Sequence, residues 1–167
     1  MDDLEIRLFQ HPDLDEVVAL DRELNRRRGI DRDRRAYLER YCWRPEGSDR
    51  IALSFVAARE GRIVGYVLGS VYRGEFGAVE PLAILEVIGV SDDARGRGVA
   101  HALFAAMAEH ARRLDVTHIR TLVAWNHFEL LAFFERMGMR PTGLVPLSVH
   151  VDRVPPVPPQ EDDDEIV

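Results

Sequence analysis

The chain has 167 residues, which fits one domain, and a chain of about this size buries roughly 68–70% of its unfolded surface on folding. Its hydrophobic and charged fractions, 46% and 31%, are ordinary for a soluble globular protein. The single cysteine excludes a disulfide framework. No apolar run approaches the roughly 18 residues of a membrane span, and the acidic N-terminus is unlike a secretory signal. We therefore expect a cytoplasmic protein without a membrane partner.

The charged residues are unusual in type and in distribution. All 22 basic residues are arginine, and the absence of lysine excludes a P-loop NTPase and a Schiff-base enzyme. Residues 151–167 hold six acids and one arginine, so they carry −5 of the net charge of −7 and leave −2 for residues 1–150. Without a basic excess, we expect no nucleic-acid partner.

The first half of the chain alternates short strand and helix patterns. Gly29 and Pro45 are natural helix stops, and Glu60-Gly61 separates two β-rich runs as a hairpin turn would. The predicted elements are a strand at 5–8, a first helix that begins near His11 and stops at Gly29, and a second helix at about 34–43. Hairpin strands follow at 51–58 and 62–71.

The second half predicts a βαβ unit followed by a helix and a strand. Residues 82–90 are nearly all apolar, which favours a central strand covered on both faces. A helix with an apolar stripe follows from Val99 to Leu114, then a strand at 118–124, a helix at 128–137 ended by Gly138, and a closing strand at 143–151. This order predicts a mixed α/β domain over residues 1–153, with parallel strands in 82–124. The proline-rich acidic residues 154–167 are expected to form a tail outside the core.

The turn Arg95-Gly96-Arg97-Gly98 is the most informative segment. A glycine-rich turn presents free backbone N–H groups, and the helix that it opens adds a positive dipole end. Two arginines add positive charge, so the turn favours the pyrophosphate of a phosphorylated cofactor. The alternative is an ordinary surface turn with two solvated arginines. A Rossmann fingerprint fits poorly, because His101 stands where glycine or alanine is needed.

The same segment resembles a known family. Arg95-Gly96-Arg97-Gly98-Val99-Ala100 fits the Gln/Arg-x-x-Gly-x-Gly/Ala loop of the GNAT N-acetyltransferases, and the strand before it and the helices after it are similar to that family's core. The resemblance covers the order of elements over residues 5–150. It implies a GNAT-like acyl-CoA N-acyltransferase fold, with a mixed, centrally splayed sheet flanked by helices. It also implies an enzyme that transfers acetyl from acetyl-CoA to a primary amine by direct attack in a ternary complex.

The resemblance further implies which residues bind the cosubstrate. Backbone N–H groups of residues 97–100 would bind the pyrophosphate, and the pantetheine arm would lie beside the end of the preceding strand. An N–H near Ile88 would donate to the thioester oxygen, and Asn126 would contact the pantetheine arm. The residues assigned to cofactor binding are therefore Ile88, Gly89, Val90, Arg95, Gly96, Arg97, Gly98, Val99, Ala100 and Asn126.

Two residues bear on catalysis. Glu86 is an acid inside an otherwise apolar strand, and partial burial of a carboxylate favours proton uptake, as a general base requires. The alternative is a Glu86 side chain that faces outward or pairs with arginine. Many members of the resembled family place a tyrosine, as proton donor to the departing thiolate, where this chain has Phe134. That role is therefore empty, held by another residue, or left to water.

Several alternatives stay open. The missing tyrosine supports a non-catalytic CoA-binding or sensing module, and the tail supports an interaction protein. The acceptor is a small-molecule or peptide amine: polyamines, aminoglycosides, amino acids and protein N-termini all fit. Dimers are common in the resembled family, so a homodimer is open.

Cys42 and Trp125 are expected to pack, although Trp125 would also suit an acceptor groove. The histidines lack ligand spacing, so no metal is expected.

Overall fold

The computed structural model of the protein describes residues 4–42, 51–73 and 80–155. In chain order the helices and strands are β1 (Leu4–Leu8), α1 (Leu14–Arg27), α2 (Arg35–Glu39), β2 (Ile51–Ala52), β3 (Phe55–Arg59), β4 (Arg62–Tyr72), β5 (Leu82–Val90), α3 (Val99–Arg113), β6 (Ile119–Arg120) and α4 (Phe128–Arg136). Single 3₁₀ turns lie at His11–Asp13, Asp92–Ala94 and Val151–Arg153. The predicted mixed α/β class is confirmed.

One six-stranded sheet organises the chain. Its strand order is β1-β3-β4-β5-β6, and β2 pairs with β4. Every pairing is antiparallel except that of β5 with β6, which is parallel as the βαβ pattern predicted. The β3–β4 hairpin turns at Glu60 and Gly61, whose φ angles are 50° and 74°. Two consecutive positive φ values define the tight hairpin turn that the Glu-Gly pair predicted.

Helices cover both faces of the sheet. On one face α1 and α2 pack their apolar stripe against β4, around the fully buried Val17, Leu38 and Tyr66. On the other face α3 buries Leu103 and Met107 against β4 and β5. Complete burial of each such aliphatic side chain stabilises the fold by about 1.5–3 kcal/mol. Cys42 lies buried in the α1–α2 cluster, so its predicted packing role is confirmed.

A partly buried ion pair fixes the start of α1. Both Arg7 guanidinium nitrogens donate to the Asp13 carboxylate, at 2.7 and 2.8 Å, and the Gln10 backbone N–H donates to it at 2.9 Å. Burial alone would raise the pKa of Asp13, but these donors outweigh it and hold the pKa below its usual value. The edge strand β1 is thereby tied to the first helix.

The structure corrects four predicted elements. The predicted strand 51–58 is divided into β2 and β3. In the predicted strand 118–124 only Ile119–Arg120 pairs with β5, and residues 143–151 form no strand among the described residues. Alternating apolar side chains indicate an extended backbone. A strand also requires hydrogen bonds to the backbone of a neighbouring strand, which the alternation does not predict. α2 is shorter than the predicted helix at 34–43, and Trp43 and Pro45 lie outside the described residues. Residues 156–167 of the predicted tail also lie outside them.

Candidate active site

The sheet opens beside the second half of β5. β5 and β6 pair only at Ala83–Ile119 and Ile84–Arg120. β5 then continues to Val90, and no described strand lies on that side of residues 85–90. Both faces of this half are still covered, because Val87 packs against the α1 side and Ile88 and Val90 pack against the α3 side. Residues 87–90 are only half-buried because their edge is open. The parting of two parallel strands leaves a gap flanked by free backbone groups, which matches the splayed sheet that the resemblance implied.

The register shows which backbone groups face this gap. The Ser91 N–H donates to the Val64 carbonyl oxygen at 2.8 Å, so the backbone groups of residue 91 point toward β4. Orientation alternates along an antiparallel pair, so those of Gly89 also point toward β4, whereas those of Ile88 and Val90 point into the gap. The Val90 carbonyl is occupied by Arg95 Nε, at 3.4 Å. The Ile88 N–H is thus directed at any ligand lying along the β5 edge.

A β-bulge in β5 sets the position of Glu86. Leu68 pairs with Val87 while Gly69 pairs with Leu85, so Glu86 is the extra residue of the bulge. A Cβ atom at Gly69 would lie 2.6 Å from the Ile84 carbonyl oxygen, so the close approach of the two strands here requires glycine. Glu86 is exposed. The sequence left open whether the Glu86 side chain is partly buried or faces outward. The structure shows that it faces outward, so the prediction of partial burial is wrong.

The loop after β5 ends in an open helix N-terminus. Residues 92–94 form a 3₁₀ turn, and Gly96 and Gly98 then take φ values of 71° and 80°, which suit glycine. Gly98 is the N-cap of α3, whose first backbone bond runs from the Ala102 N–H to the Gly98 carbonyl, at 2.9 Å. The N–H groups of the first helical turn have no acceptor within the helix, and no side chain of the described residues caps them. Such a terminus binds anions.

The charges around this loop are less simple than the sequence indicated. Arg95 pairs with Asp92 at 3.2 Å, and Arg27 of α1 pairs with the same carboxylate. Arg97 is exposed and makes no ion pair within the described part of the chain. Arg97 is therefore the uncompensated positive charge at the loop, while Arg95 holds the loop to β5 and to its own 3₁₀ turn.

A buried polar network ties the end of α1 to β4, beside the second half of β5. The Tyr66 hydroxyl donates to Asp21 Oδ1 at 2.6 Å, and Asn25 Nδ2 donates to Asp21 Oδ2 at 2.9 Å. Arg34 lies 3.4 Å from the same carboxylate. Burial, and then the neighbouring Asp21 charge, raise the pKa of Tyr66 far above its usual value, so its hydroxyl stays protonated as a donor.

Gly89 lies directly beneath this network. A Cβ atom at Gly89 would lie 2.9 Å from both Leu24 Cδ1 and Tyr66 Cε1. The second half of β5 is therefore packed closely on its α1 face, while its edge toward β6 stays open. The sequence signal for this contact was a glycine in a strand interior, which often marks the close approach of another group.

The residues after β6 contribute little direct chemistry. Asn126 is exposed in the turn before α4, at the same end of the sheet as the loop after β5, because β5 and β6 are parallel. Trp125 is 82% exposed, so the expectation that it packs is wrong. Phe134 is buried, and its ring centroid lies 6.4 Å from that of Phe104. The α4 position where many members of the resembled family have a proton-donating tyrosine is therefore part of the apolar core in this chain.

The structure brings most of the predicted site residues to one end of the sheet. Ile88, Gly89 and Val90 lie on the open β5 segment, and residues 95–100 form the loop and helix start that follow it. Sequence reasoning missed the bulge, the Tyr66–Asp21 network and the Arg27–Asp92 ion pair. Each of these depends on residues far apart in the chain, so no local pattern signals them.

Neither a metal centre nor a membrane span is found in the described ranges. In residues 4–42, 51–73 and 80–155, no three His, Cys, Asp or Glu side chains are grouped as metal binding would need. None of the helices described has the length and apolar character that crossing a membrane requires.

Comparison with known proteins identifies the family. Residues 15–139 match the acetyltransferase (GNAT) family. Acetyltransferase SG1711 of Sodalis glossinidius is 26% identical over 145 residues, which cover 80% of this chain and 85% of that protein.

Solved structures agree in fold. The aminoglycoside N-acetyltransferase AAC(6')-Iy in complex with CoA superposes with a TM-score of 0.73 at 21% identity, over 90% of this chain and 96% of that chain. A ribosomal-protein-alanine N-acetyltransferase from Brucella melitensis biovar Abortus 2308 gives 0.67 at 18% identity, over 88% of this chain and 98% of that chain. The family match covers most of the chain, and both the open β5 segment and the glycine loop lie inside the matched residues. This chain belongs to the GNAT acetyltransferase family.

Proposed function

We propose that this protein transfers the acetyl group of acetyl-CoA to a primary amine. The observation that carries the proposal is the arrangement at one end of the sheet: an unpaired β5 edge leads directly into a glycine loop and a helix N-terminus. The edge suits an extended, amide-containing chain, and the helix start suits a phosphate group. A coenzyme A thioester combines both parts in one molecule. Membership of the GNAT family supports the same assignment.

The proposed cosubstrate contacts use backbone groups above all. The N–H groups of residues 97–100 bind the pyrophosphate, with Arg97 adding charge. The pantetheine arm lies beside Ile88, Gly89 and Val90, and Asn126 contacts it from the β6 side. The Ile88 N–H donates to the acetyl carbonyl oxygen, where negative charge develops; one such donor is worth roughly 3–4 kcal/mol of barrier. Acetyl-CoA itself supplies an activated acetyl carbon and a good leaving group.

The proposed chemistry is direct attack in a ternary complex. The amine nitrogen bonds to the acetyl carbon as the carbon–sulfur bond breaks. Glu86 takes the proton that the nitrogen loses, directly or through one water; partial burial no longer supports this role, which rests on an exposed carboxylate at the β5 bulge, two residues before Ile88. A covalent enzyme intermediate has little support, because the chain has no lysine and its single cysteine, Cys42, is buried. Phe134 offers no hydroxyl, so the departing thiolate takes its proton from solvent.

The acceptor is proposed as a small-molecule amine. The aligned AAC(6')-Iy is an aminoglycoside N-acetyltransferase, whereas the aligned Brucella protein acts on ribosomal-protein alanine. Both are similar to this chain in fold alone, so a peptide N-terminus is the second acceptor class to test. A panel of aminoglycosides, polyamines, amino acids and an alanine-initiated peptide covers both classes.

The test is release of free CoA thiol from acetyl-CoA with each amine at pH 7. General-base removal costs about 10²–10⁴-fold in rate, so Glu86→Gln should lose turnover by that factor while acetyl-CoA affinity stays unchanged. The defect should shrink as pH rises, because more acceptor then arrives neutral. Glu5→Gln is the matched control, since Glu5 is an exposed strand glutamate on the opposite edge of the sheet.

The outcomes separate the hypotheses. Acetyl-CoA binding without thiol release for any amine would support the non-catalytic CoA-binding module, which the buried Phe134 favours. Turnover that Glu86→Gln leaves equal to wild type across pH 6–9 would keep the transferase activity but remove Glu86 as the base.

A further inference from the structure

The glycine loop after β5 is anchored at its two ends but not in its middle. Ala94 and Val99 are each 1% exposed, whereas residues 95–98 between them are all exposed. Among the described residues, the backbone N–H groups of residues 96–98 donate to no backbone acceptor. Two of these residues are glycines, which lose the most conformational entropy when they become ordered. A ligand that binds here must therefore order a flexible segment, unless the protein has already ordered it.

A chain of alternating charges reaches this segment from the last turn of α1. Arg27 Nη2 lies 2.6 Å from Glu23 Oε1, and Arg27 Nη1 pairs with Asp92 Oδ2. The other carboxylate oxygen of Asp92 lies 3.2 Å from Arg95 Nε, which donates to the Val90 carbonyl oxygen at 3.4 Å. Asp92 therefore binds α1 with one oxygen and the glycine loop with the other.

We propose that Arg27 is a positioning residue for acetyl-CoA: it orients Asp92, which orients Arg95 and keeps the glycine loop in the conformation that presents its N–H groups to the pyrophosphate. This role rests on the proposed binding of acetyl-CoA, and Arg27 itself does not contact the cosubstrate. A loop that is ordered in advance loses less entropy on binding, so the affinity is higher. An exposed ion pair contributes at most about fivefold to an equilibrium constant, so we expect a contribution of about three- to fivefold.

Arg26 provides a matched control for the charge of Arg27. Any arginine near an anion site also attracts the anion through its general field, without positioning anything. Arg26 is exposed in the same helical turn and makes no ion pair within the described residues. Arg26→Met therefore removes the same charge, and the same interaction with the helix dipole, without disturbing Asp92. Arg27→Lys keeps both the charge and a donor for Asp92.

The first experiment is calorimetric titration of the full chain with acetyl-CoA. Arg27→Met should bind about three- to fivefold more weakly than wild type, whereas Arg26→Met and Arg27→Lys should stay within about twofold of it. Thermal melting should give similar Tm values for the two methionine variants, because both replace exposed side chains. In a chain that already carries Asp92→Ala, Arg27→Met should cause no further loss, since the carboxylate through which it acts is gone.

The second experiment measures the same link from the α1 side, by amide hydrogen exchange. Coupling between two sites is reciprocal, so acetyl-CoA bound at the loop should stabilise the end of α1 by the same factor. The Gly29 N–H donates to the Arg26 carbonyl oxygen and the Ile30 N–H to that of Asn25, each at 3.0 Å. In wild type these two amides should exchange about three- to fivefold more slowly with acetyl-CoA bound. In Arg27→Met at saturating acetyl-CoA their exchange should not change.

The outcomes separate this role from the proposed function. An equal loss of affinity in Arg26→Met, a full further loss in the Asp92→Ala chain, or wild-type exchange that acetyl-CoA leaves unchanged would overturn the positioning role. Each of these results would leave acetyl-CoA binding intact. A wild-type protein that binds no acetyl-CoA would overturn the proposed function, and the role of Arg27 with it.

Discussion

Gly98 closes the loop before α3 with a φ of 80°, and a Cβ atom built there meets nothing within 4 Å. Replacing it with valine therefore causes no clash inside the protein. The new side chain stands at the N-cap of α3, next to the free N–H groups where we propose that the pyrophosphate binds. Gly29 has a φ of 72° and is equally uncrowded, but it ends α1 rather than opening α3. Gly29→Val is therefore the matched control.

Both variants should lose the same stability, and Gly98→Val alone should lose affinity for acetyl-CoA. Left-handed backbone costs an L-residue about 1–2 kcal/mol, which for a chain of this size lowers Tm by roughly 2–8 °C in either variant. Only Gly98→Val places a side chain over the free N–H groups. Its acetyl-CoA affinity should fall at least tenfold, a loss of about 1.4 kcal/mol in binding free energy.

Calorimetric titration with acetyl-CoA measures the affinity of each variant. Thermal melting followed by circular dichroism measures its Tm. We expect similar Tm values for the two variants and weaker binding for Gly98→Val alone. Equal affinity in wild type, Gly98→Val and Gly29→Val would remove the loop from the binding site. Equal losses in both variants would show that backbone strain, not obstruction, controls the affinity.

Two further predictions concern stability. The lowered Asp13 pKa contributes stability that is present above the unfolded pKa of about 3.9 and lost as pH falls through the lower folded value. Arg7→Met removes the donors that lower it, so its Tm deficit relative to wild type should be larger at pH 7 than at pH 3; a deficit independent of pH would contradict this reasoning. A chain ending at Arg153 should melt within a few degrees of the full chain, because the removed residues are prolines, charges and little buriable surface. A much larger decrease in differential scanning calorimetry would show that the tail docks.

The elements with local signals were predicted well. Gly29 and Gly138 end helices with positive φ, and Glu60-Gly61 forms the hairpin turn. The loop at residues 95–98 lies between β5 and α3 as expected. In each case a glycine's conformational freedom, or the period of the apolar residues, acts within a few residues of the chain.

The features that sequence reasoning missed depend on distant neighbours. The bulge at Glu86 arises from the count of residues in β5 against β4, which one strand's sequence does not contain. Residues 143–151 show the reverse case: their apolar residues alternate clearly, but no strand among the described residues pairs with them. Trp125 was also expected to pack, but its side chain is 82% exposed.

The contact at Gly89 has a consequence for relatives of this protein. Leu24, Tyr66 and Gly89 come from three separate elements and fill one volume, with no room for an added methyl group. Substitutions at the three positions should therefore be correlated among homologues. A relative with alanine at the position of Gly89 should carry a smaller residue at that of Leu24 or Tyr66. An alignment in which these positions vary independently would show that α1 and β5 can separate here.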